Sequence, residues 1–223
     1  MAGILRLSKL LVLVVALTAC TTMKPHVDHV MLGISDLDRG IRELESLTGV
    51  RAVLGGEHPG RGTHNALVSL GTDTYIEVIA PRAGATVSAD LADLAKLEHL
   101  TPVGWAVGAS REQVERGGIK TTVPRAGSRK QPSGNVLHWE TFELAERLDN
   151  ALFFIQWRDP AKHPAKTSPG GCSLGGIEFD DPKADELTRV IRALGLDFPV
   201  ASGTPAMRVT LRCGERTVRL PAN

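Results

Sequence analysis

The sequence predicts an α+β protein made of tandem βαβββ units. Segments rich in β-branched residues alternate with a few segments whose apolar residues follow helical spacing. The pattern recurs at roughly 70 to 75 residues. In two middle strands a histidine, His64 or His138, stands six residues before a leucine. Because one such unit is too short to bury a large core by itself, we expect the units to pack together.

The first unit is predicted over residues 26–100. Ser35 and Asp36 are typical helix caps, and Gly49 is a typical helix stop. The turn Gly71–Asp73 joins two β-rich runs. The expected elements are a helix over Leu37–Leu47 and strands over His26–Ile34, Arg51–Leu54, Thr63–Leu70 and Thr74–Ala80.

A second unit is predicted over residues 101–170 and a third, shorter one over residues 171–223. The third unit holds Cys172 and Cys213, which either form a disulfide or remain two separate thiols. The elements expected in the second unit are a helix over Ser110–Arg116 and strands over Pro102–Val107, Ile119–Val123, Val136–Leu144 and Ala151–Trp157. Those expected in the third are a helix over Lys183–Leu194 and strands over Gly175–Phe179, near Phe198, over Met207–Arg212 and over Thr217–Leu220.

The segment Met1–Ala19 has the pattern of an export signal, with Arg6 and Lys9 before a short apolar run. That run is too short to span a bilayer. The tetrad that ends in Cys20 resembles a bacterial lipobox, which predicts lipidation of Cys20 and a linker up to residue 25. Thr21 then favours the outer membrane, with the protein facing the periplasm. The alternative is an ordinary secretory signal that contains a cysteine.

The charge balance argues against a nucleic-acid partner. Lys and Arg total 26 against 25 for Asp and Glu, and only 4% of the residues are aromatic. The glycine-rich stretch around His58 has no helix behind it and therefore does not predict a phosphate-binding loop. We interpret His58 as part of a turn and the pair His163-Pro164 as part of a rim or loop.

Several motifs together resemble the glyoxalase-like branch of the vicinal oxygen chelate superfamily. The resemblance covers about residues 26–221. It implies that curved mixed sheets from paired βαβββ units form a cup around a small-molecule site. The motifs are HVDHV at His26–Val30, GTHNAL at Gly62–Leu67, YIEVIAP at Tyr75–Pro81 and LFFIQW at Leu152–Trp157 followed by His163-Pro164.

The resemblance also implies a divalent metal, whether Zn, Ni, Mn or Fe, held by one residue from the first strand and one from the fourth strand of each unit. These positions fall on His29 and Glu77 in the first unit and on Trp105 and Gln156 in the second. Tryptophan cannot bind a metal, and a neutral amide is a weak ligand. His29 and Glu77 are therefore the expected metal ligands, and Glu77 is also the expected catalytic carboxylate.

Four further side chains are candidates for substrate binding, and strand register places two of them. In an antiparallel hairpin the numbers of two paired residues add up to a constant. If this constant is 145 in the first hairpin, Glu77 faces Val68. His64 then shares a face with Glu77 but lies on the order of 13 Å away. If the constant is 294 in the second hairpin, His138 faces Gln156. The expected substrate contacts are His64, Trp105, His138 and Gln156.

These residues predict a lipid-anchored, metal-dependent lyase or isomerase that acts on a small oxygen-bearing substrate. A metal-free module that sequesters a small molecule is the alternative, favoured by Trp105 because an indole would fill the place of the metal. A ring-opening oxygenase with an iron site would need His64 or His138 as a ligand. Because such cups are often completed between units or between subunits, a homodimer is a further expectation.

Overall fold

Eight strands of the first two units form one continuous, curved sheet. The computed structural model describes residues 23–146, 148–149 and 151–221. The eight strands are β1 His26–Gly33, β2 Val53–His58, β3 Thr63–Ser69, β4 Tyr75–Pro81, β5 Thr101–Gly108, β6 Arg125–Lys130, β7 Val136–Glu143 and β8 Leu152–Trp157. Their order across the sheet is β2-β3-β4-β1-β5-β8-β7-β6.

The two units join through their first strands. Strand β1 pairs with β4 in parallel and with β5 in antiparallel orientation, and β5 pairs with β8 in parallel. The sheet curls until its edge strands β2 and β6 approach each other, and a side chain at Gly56 would collide with the backbone carbonyl of Lys130. We call this line of approach the seam and the concave face of the sheet the cup. The predicted α+β class with a cup-shaped sheet is confirmed.

Two helices belong to these units, α1 over Leu37–Thr48 and α2 over Arg111–Arg116. The Asp36 side chain caps α1 by accepting from the backbone N–H of Arg39, and Gly49 ends it with a φ of 77°. The apolar face of α1 packs in the main core together with the outward side chains of β1 and β4. This packing leaves the opposite face of the sheet, the cup, for polar side chains.

The third unit forms a separate four-stranded sheet with its own helix. Its elements are β9 Cys172–Asp181, α3 Ala184–Ala193, β10 Val200–Ser202, β11 Ala206–Cys213 and β12 Arg216–Leu220. The chain order is βαβββ, but the strand order is β10-β9-β11-β12, so β9 lies between the second and third strands of its own unit. A disulfide between Cys172 and Cys213 joins β9 to β11. The sheet packs on the main core through apolar side chains such as Ile177 and Phe179.

Some elements differ from those that the sequence predicts. The segment Ile119–Val123 makes one isolated bridge, Thr121 to Leu144, and the edge strand is β6 instead. Strand β6 has no apolar alternation and forms because it pairs with β7. Within the described residues no helix is long and apolar enough to cross a membrane. The predicted signal and Cys20 lie outside the described residues.

Candidate functional site

A bulge in β1 brings two ionisable side chains together at the base of the cup. The pairing with β5 shifts between Val27 and His29, so Asp28 is left out of the ladder. His29 Nδ1 lies 2.7 Å from Asp28 Oδ1, and both side chains are buried. The His29 ring also stacks on Tyr75, with ring centroids 4.7 Å apart. These contacts fix the orientation of the imidazole.

The other ring nitrogen of His29 faces the carboxylate of Glu77. His29 Nε2 lies 3.4 Å from Glu77 Oε2, within ion-pair range. Glu77 lies on the cup face of β4 because its neighbours Ile76 and Val78 point into the core. The same alternation puts Asn65 of β3 on the cup face, where its Nδ2 donates to Glu77 Oε1 at 2.6 Å.

A second histidine approaches Glu77 from β2. His58 Nε2 lies 3.8 Å from Glu77 Oε1, and His58 Nδ1 lies 3.2 Å from the hydroxyl of Thr63. The His58 side chain is 15% exposed, against 7% or less for His29 and Glu77. Burial lowers the pKa of His58 despite the negative charge of Glu77. His58 is therefore neutral at pH 7 and is the most exposed of these three side chains.

Two side chains, one at the end of β8 and one in the segment that follows it, complete the surroundings of Asp28. Its Oδ2 accepts from Trp157 Nε1 at 2.9 Å and from His163 Nε2 at 3.1 Å. His163 Nδ1 accepts from the backbone N–H of Ala165, so the ring carries its proton on Nε2. Burial opposes the ionisation of Asp28, but the hydrogen bonds from His163 and His29 outweigh it and lower the pKa of Asp28 to about 2.

The carboxyl of Glu77 is ionised as well. Burial would raise its pKa, but the neighbouring His58 and His29, the hydrogen bond from Asn65 and the charge of Arg129 lower it overall. His29 therefore has an ionised carboxylate opposite each ring nitrogen. A lone pair on Nε2 would repel the lone pairs of Glu77, so this geometry favours a proton on that nitrogen.

The donor set does not fit the metal site that the resemblance implies. Among the described residues, no group of three or more His, Cys, Asp or Glu side chains is arranged to hold a metal ion. In the second unit, Ala106 pairs across from His29, and β8 presents Phe153 to the His29 ring. One oxygen of Glu77 is already bonded to Asn65. His29 and Glu77 lie together as the resemblance implies, but their role as metal ligands stays a prediction.

Trp105 does not line the cup. It pairs with Val30, whose side chain points into the core, and the residue that faces the cup is Ala106. The indole is fully buried, with its ring centroid 5.2 Å from that of Phe179 in the third unit. The expected contact of Trp105 with the substrate is therefore corrected: its ring packs between the sheet of the cup and the third unit.

His64 points away from Glu77 because the register of the first hairpin differs by one residue from the expected one. Glu77 pairs with Leu67, not Val68. A shift of one residue moves every side chain of a strand to the other face. His64 therefore lies on the outer face, and its neighbour Asn65 takes the place beside Glu77.

His138 and Gln156 are also corrected, since both are exposed and lie outside the cup. Gln156 pairs with Glu140, and His138 pairs with Ser128 on β6. The cup face of this hairpin carries Trp139 and Trp157, whose ring centroids are 5.3 Å apart. The second unit thus presents aromatic rings where polar side chains were expected.

Sequence reasoning missed five residues of the site. Asp28 and His163 lie within the motifs that carry the resemblance, but no function is predicted for them. The sequence places His58 in a turn. Asn65 directly follows His64, the predicted candidate, so only the strand register shows which of the two faces the cup. Arg129 lies in an edge strand with no pattern, and no sequence signal pointed to it.

The sequence profile of the glyoxalase-like domain family matches residues 27–195, most of the chain. The chain belongs to this family. The resemblance to the vicinal oxygen chelate superfamily is thereby confirmed, and the match spans both units that build the cup. A comparison with curated proteins finds no match.

A solved structure shows the same fold over most of the chain, and others are similar to part of it. A hypothetical protein from Staphylococcus aureus has a TM-score of 0.59 at 14% identity, with 87% of this chain and 85% of that chain covered. Methylmalonyl-CoA epimerase from Mycobacterium tuberculosis has a TM-score of 0.41 at 16% identity, with 59% of this chain and 85% of that chain covered. A variant of the Streptomyces coelicolor epimerase, in complex with 2-nitronate-propionyl-CoA, has a TM-score of 0.40 at 16% identity, with 59% and 93% covered.

Proposed function

We propose that this chain is an enzyme that transfers a proton at a carbon next to a carbonyl group of a small substrate. The observation that carries the proposal is the buried pair of His29 Nε2 and Glu77, 3.4 Å apart. An ionised carboxylate shielded from water is a general base, and a ring N–H beside it can donate to a substrate oxygen. Both groups lie on rigid strands, which holds them in a fixed geometry.

Glu77 would remove the proton from the substrate carbon, and His29 would stabilise the oxyanion that develops on the neighbouring oxygen. The electron pair of the broken C–H bond moves into the carbonyl group, and the proton rests on Glu77. If the proton on Glu77 exchanges with solvent before it returns to the same carbon, the substrate is recovered with a hydrogen from solvent. If the reacting carbon carries a hydroxyl group, delivery of the proton to the neighbouring carbonyl carbon, with transfer of the hydroxyl proton to the carbonyl oxygen, gives isomerisation. Neither outcome requires an oxidant or a reductant.

Asp28 acts on this reaction through His29. Its Oδ1 holds His29 Nδ1, while its Oδ2 is fixed by Trp157 and His163. A carboxylate in this position keeps the second ring nitrogen directed at the reacting group and stabilises the protonated ring. We therefore assign Asp28 as a positioning residue and His29 and Glu77 as the catalytic residues.

Two functions predicted from the sequence have weaker support. A metal-dependent lyase or isomerase would need a third ligand beside His29 and Glu77, and the described residues do not supply the set. A metal-free sequestering module was favoured by Trp105 at a ligand position, and Trp105 is buried in the core. We keep both as outcomes that the experiment below separates from proton transfer.

The place of action is a separate proposal. The pattern of Met1–Ala19 and the lipobox-like tetrad before Cys20 support a lipid-anchored protein of the bacterial cell envelope. Labelling of the expressed full chain with a fatty-acid analogue should require Cys20. Equal labelling of a Cys20→Ala variant would contradict the anchor.

The proton-transfer proposal is tested by hydrogen–deuterium exchange. The purified protein, freed of metals with a chelator, is mixed with small ketones and 2-oxo acids in D2O, and loss of the C–H signal is followed by NMR. We expect exchange on at least one of them, and a loss of about 100-fold or more in Glu77→Gln. Glu140→Gln, which changes an exposed glutamate of β7, is the matched control.

Three results would contradict the proposal. If substrates bind to the folded protein without any exchange, the cup is a binding module. If exchange appears only after a divalent metal is added, the metal-dependent mechanism is correct. If Glu77→Gln exchanges as fast as the wild type, the base is another group.

A further inference from the structure

Arg129 carries a buried positive charge with no carboxylate of the described residues within ion-pair distance. Its side chain is 3% exposed and extends from the edge strand β6 across the seam. Among the described residues, no carboxylate oxygen forms an ion pair with its guanidinium group, and its one side-chain hydrogen bond goes from Nη1 to Asn65 Oδ1 at 3.0 Å. Buried arginines are normally paired, because removing the charge from water costs several kcal/mol. A cation placed in this way is suited to an anion from outside the chain.

The free N–H groups of Arg129 still have access to solvent. In the described part of the chain, four buried side-chain nitrogen or oxygen atoms have no hydrogen-bond partner: Arg39 Nε, Arg82 Nε, Ser88 Oγ and Trp105 Nε1. The guanidinium nitrogens of Arg129 are not among them, although only one of its N–H groups is bonded. The remaining N–H groups of Arg129 therefore keep a small contact with solvent, through which an anion could reach them.

The structure keeps Arg129 close to Glu77 without letting the two charges neutralise each other. Asn65 lies between them, accepting from Arg129 through Oδ1 and donating to Glu77 through Nδ2. The chemistry of the two partners leaves one orientation for this amide. On the β2 side, a side chain at Gly55 would collide with the guanidinium and with Asn65. The glycine therefore leaves the room that the arginine occupies.

We infer that Arg129 binds a carboxylate group of the substrate and so determines that the enzyme acts on small anions. This inference deepens the proposed function and rests on it for the reaction at Glu77, but anion binding can be measured separately. A planar guanidinium matches a carboxylate with two parallel hydrogen bonds. One guanidinium offsets a single negative charge, whereas a phosphate dianion would bring an uncompensated charge close to Glu77. A carboxylate is thus favoured over a phosphate.

Bound in this way, the substrate would have its carboxylate on the second unit and its reacting carbon toward the first. His58 of β2 and Trp139 of β7 lie next to each other near the seam, with ring centroids 6.4 Å apart. His58 is the most open of the groups around Glu77. The seam is therefore the side from which a small anion would reach both Arg129 and Glu77.

The test uses the monoanion malonamate as the probe, its neutral analogue malonamide, and inorganic phosphate, each titrated calorimetrically into the wild-type protein. We expect malonamate to bind more tightly than the other two. In Arg129→Gln its affinity should fall by about tenfold or more, the loss of roughly one charged contact. The matched control is Arg125→Gln on the same strand, whose side chain is 74% exposed. Its affinity should equal that of the wild type.

The controls separate binding from folding and from catalysis. If Arg129→Gln is unfolded, Arg129→Lys keeps the charge without the planar fork and should still bind malonamate more weakly than the wild type. Glu77→Gln should lose exchange and keep malonamate binding, so failure of the proposed function alone leaves this result unchanged. Equal affinity of wild type and folded Arg129 variants for malonamate would overturn the inference. So would tighter binding of phosphate, or no binding of malonamate to the wild type.

Discussion

The two halves of the cup have the same strand arrangement and opposite chemistry. The first unit presents His29, Asn65 and Glu77 on its inner face, whereas the second presents aromatic rings such as Phe153 and Trp157. In the second unit Ala106 takes the place beside His29. A duplicated fold therefore need not supply ligands symmetrically. In the proposed reaction one half carries His29 and Glu77, and the other supplies aromatic rings and Arg129.

Removal of the charged centre of the first unit should have the largest effect. We expect Glu77→Gln to reduce proton exchange by about 100-fold to 10,000-fold, since the isosteric amide cannot accept the proton. The lowered pKa of Glu77 keeps the base ionised at pH values below the usual range for glutamate. The acid limb of the exchange rate should therefore lie below pH 4.5. A limb well above this value would contradict the environment assigned to Glu77.

Asp28 is the point where the two halves meet, since it accepts from His29 of the first unit and from Trp157 and His163 of the second. Its pKa falls from 3.8 to about 2 on folding. The ionised group therefore stabilises the fold above about pH 4, and this contribution of about 2 kcal/mol disappears as the pH falls toward 2. Urea unfolding at several pH values should show the loss in the wild type. If the free energy of unfolding of Asp28→Asn depends on pH as steeply as that of the wild type, the stabilising role assigned to Asp28 is contradicted.

A smaller effect should distinguish two tryptophans of the second unit. Trp157→Phe keeps a ring and removes one hydrogen bond to Asp28, so we expect a loss of about 1 to 2 kcal/mol in the free energy of unfolding. Trp139→Phe changes the neighbouring ring, whose N–H makes no hydrogen bond to another described residue. Its loss should be smaller by about 1 kcal/mol. Equal losses in chemical denaturation would show that the hydrogen bond to Asp28 contributes little.

The smallest effect is expected for the polar residues of the second unit that face outward. Gln156→Ala and His138→Ala should change the exchange rate by less than about twofold and the stability by less than about 0.5 kcal/mol, because both side chains are exposed. A large loss of exchange in either variant would mean that these outward-facing side chains take part in the site after all.

The sequence predicts the fold and part of the site, and the limit is set by strand register. The α+β class, the main strands and the pair of His29 and Glu77 follow from local patterns and from the resemblance. The exchange of His64 for Asn65 depends on a shift of one residue across a hairpin, which local pattern does not specify. Asp28 turns inward because of a bulge that no spacing rule indicates.

Other parts depend on contacts distant in sequence. Trp105 is buried because the third unit packs on the opposite face of β5, and its neighbour Phe179 lies far along the chain. Arg129 enters the site only because the sheet curls until β6 reaches β2. Neither contact leaves a periodic signal, so tertiary structure was needed to find both.

We expect a proton to lie between His29 Nε2 and the carboxylate of Glu77. NMR of the protein with ¹⁵N-labelled histidine, freed of metals and at neutral pH, tests this expectation. We expect both ring nitrogens of His29 to carry protons, and we expect the signal of Nε2 to change in Glu77→Gln while His163 keeps a single proton on Nε2. A bare lone pair on His29 Nε2 that is unaffected by Glu77→Gln would contradict the claim.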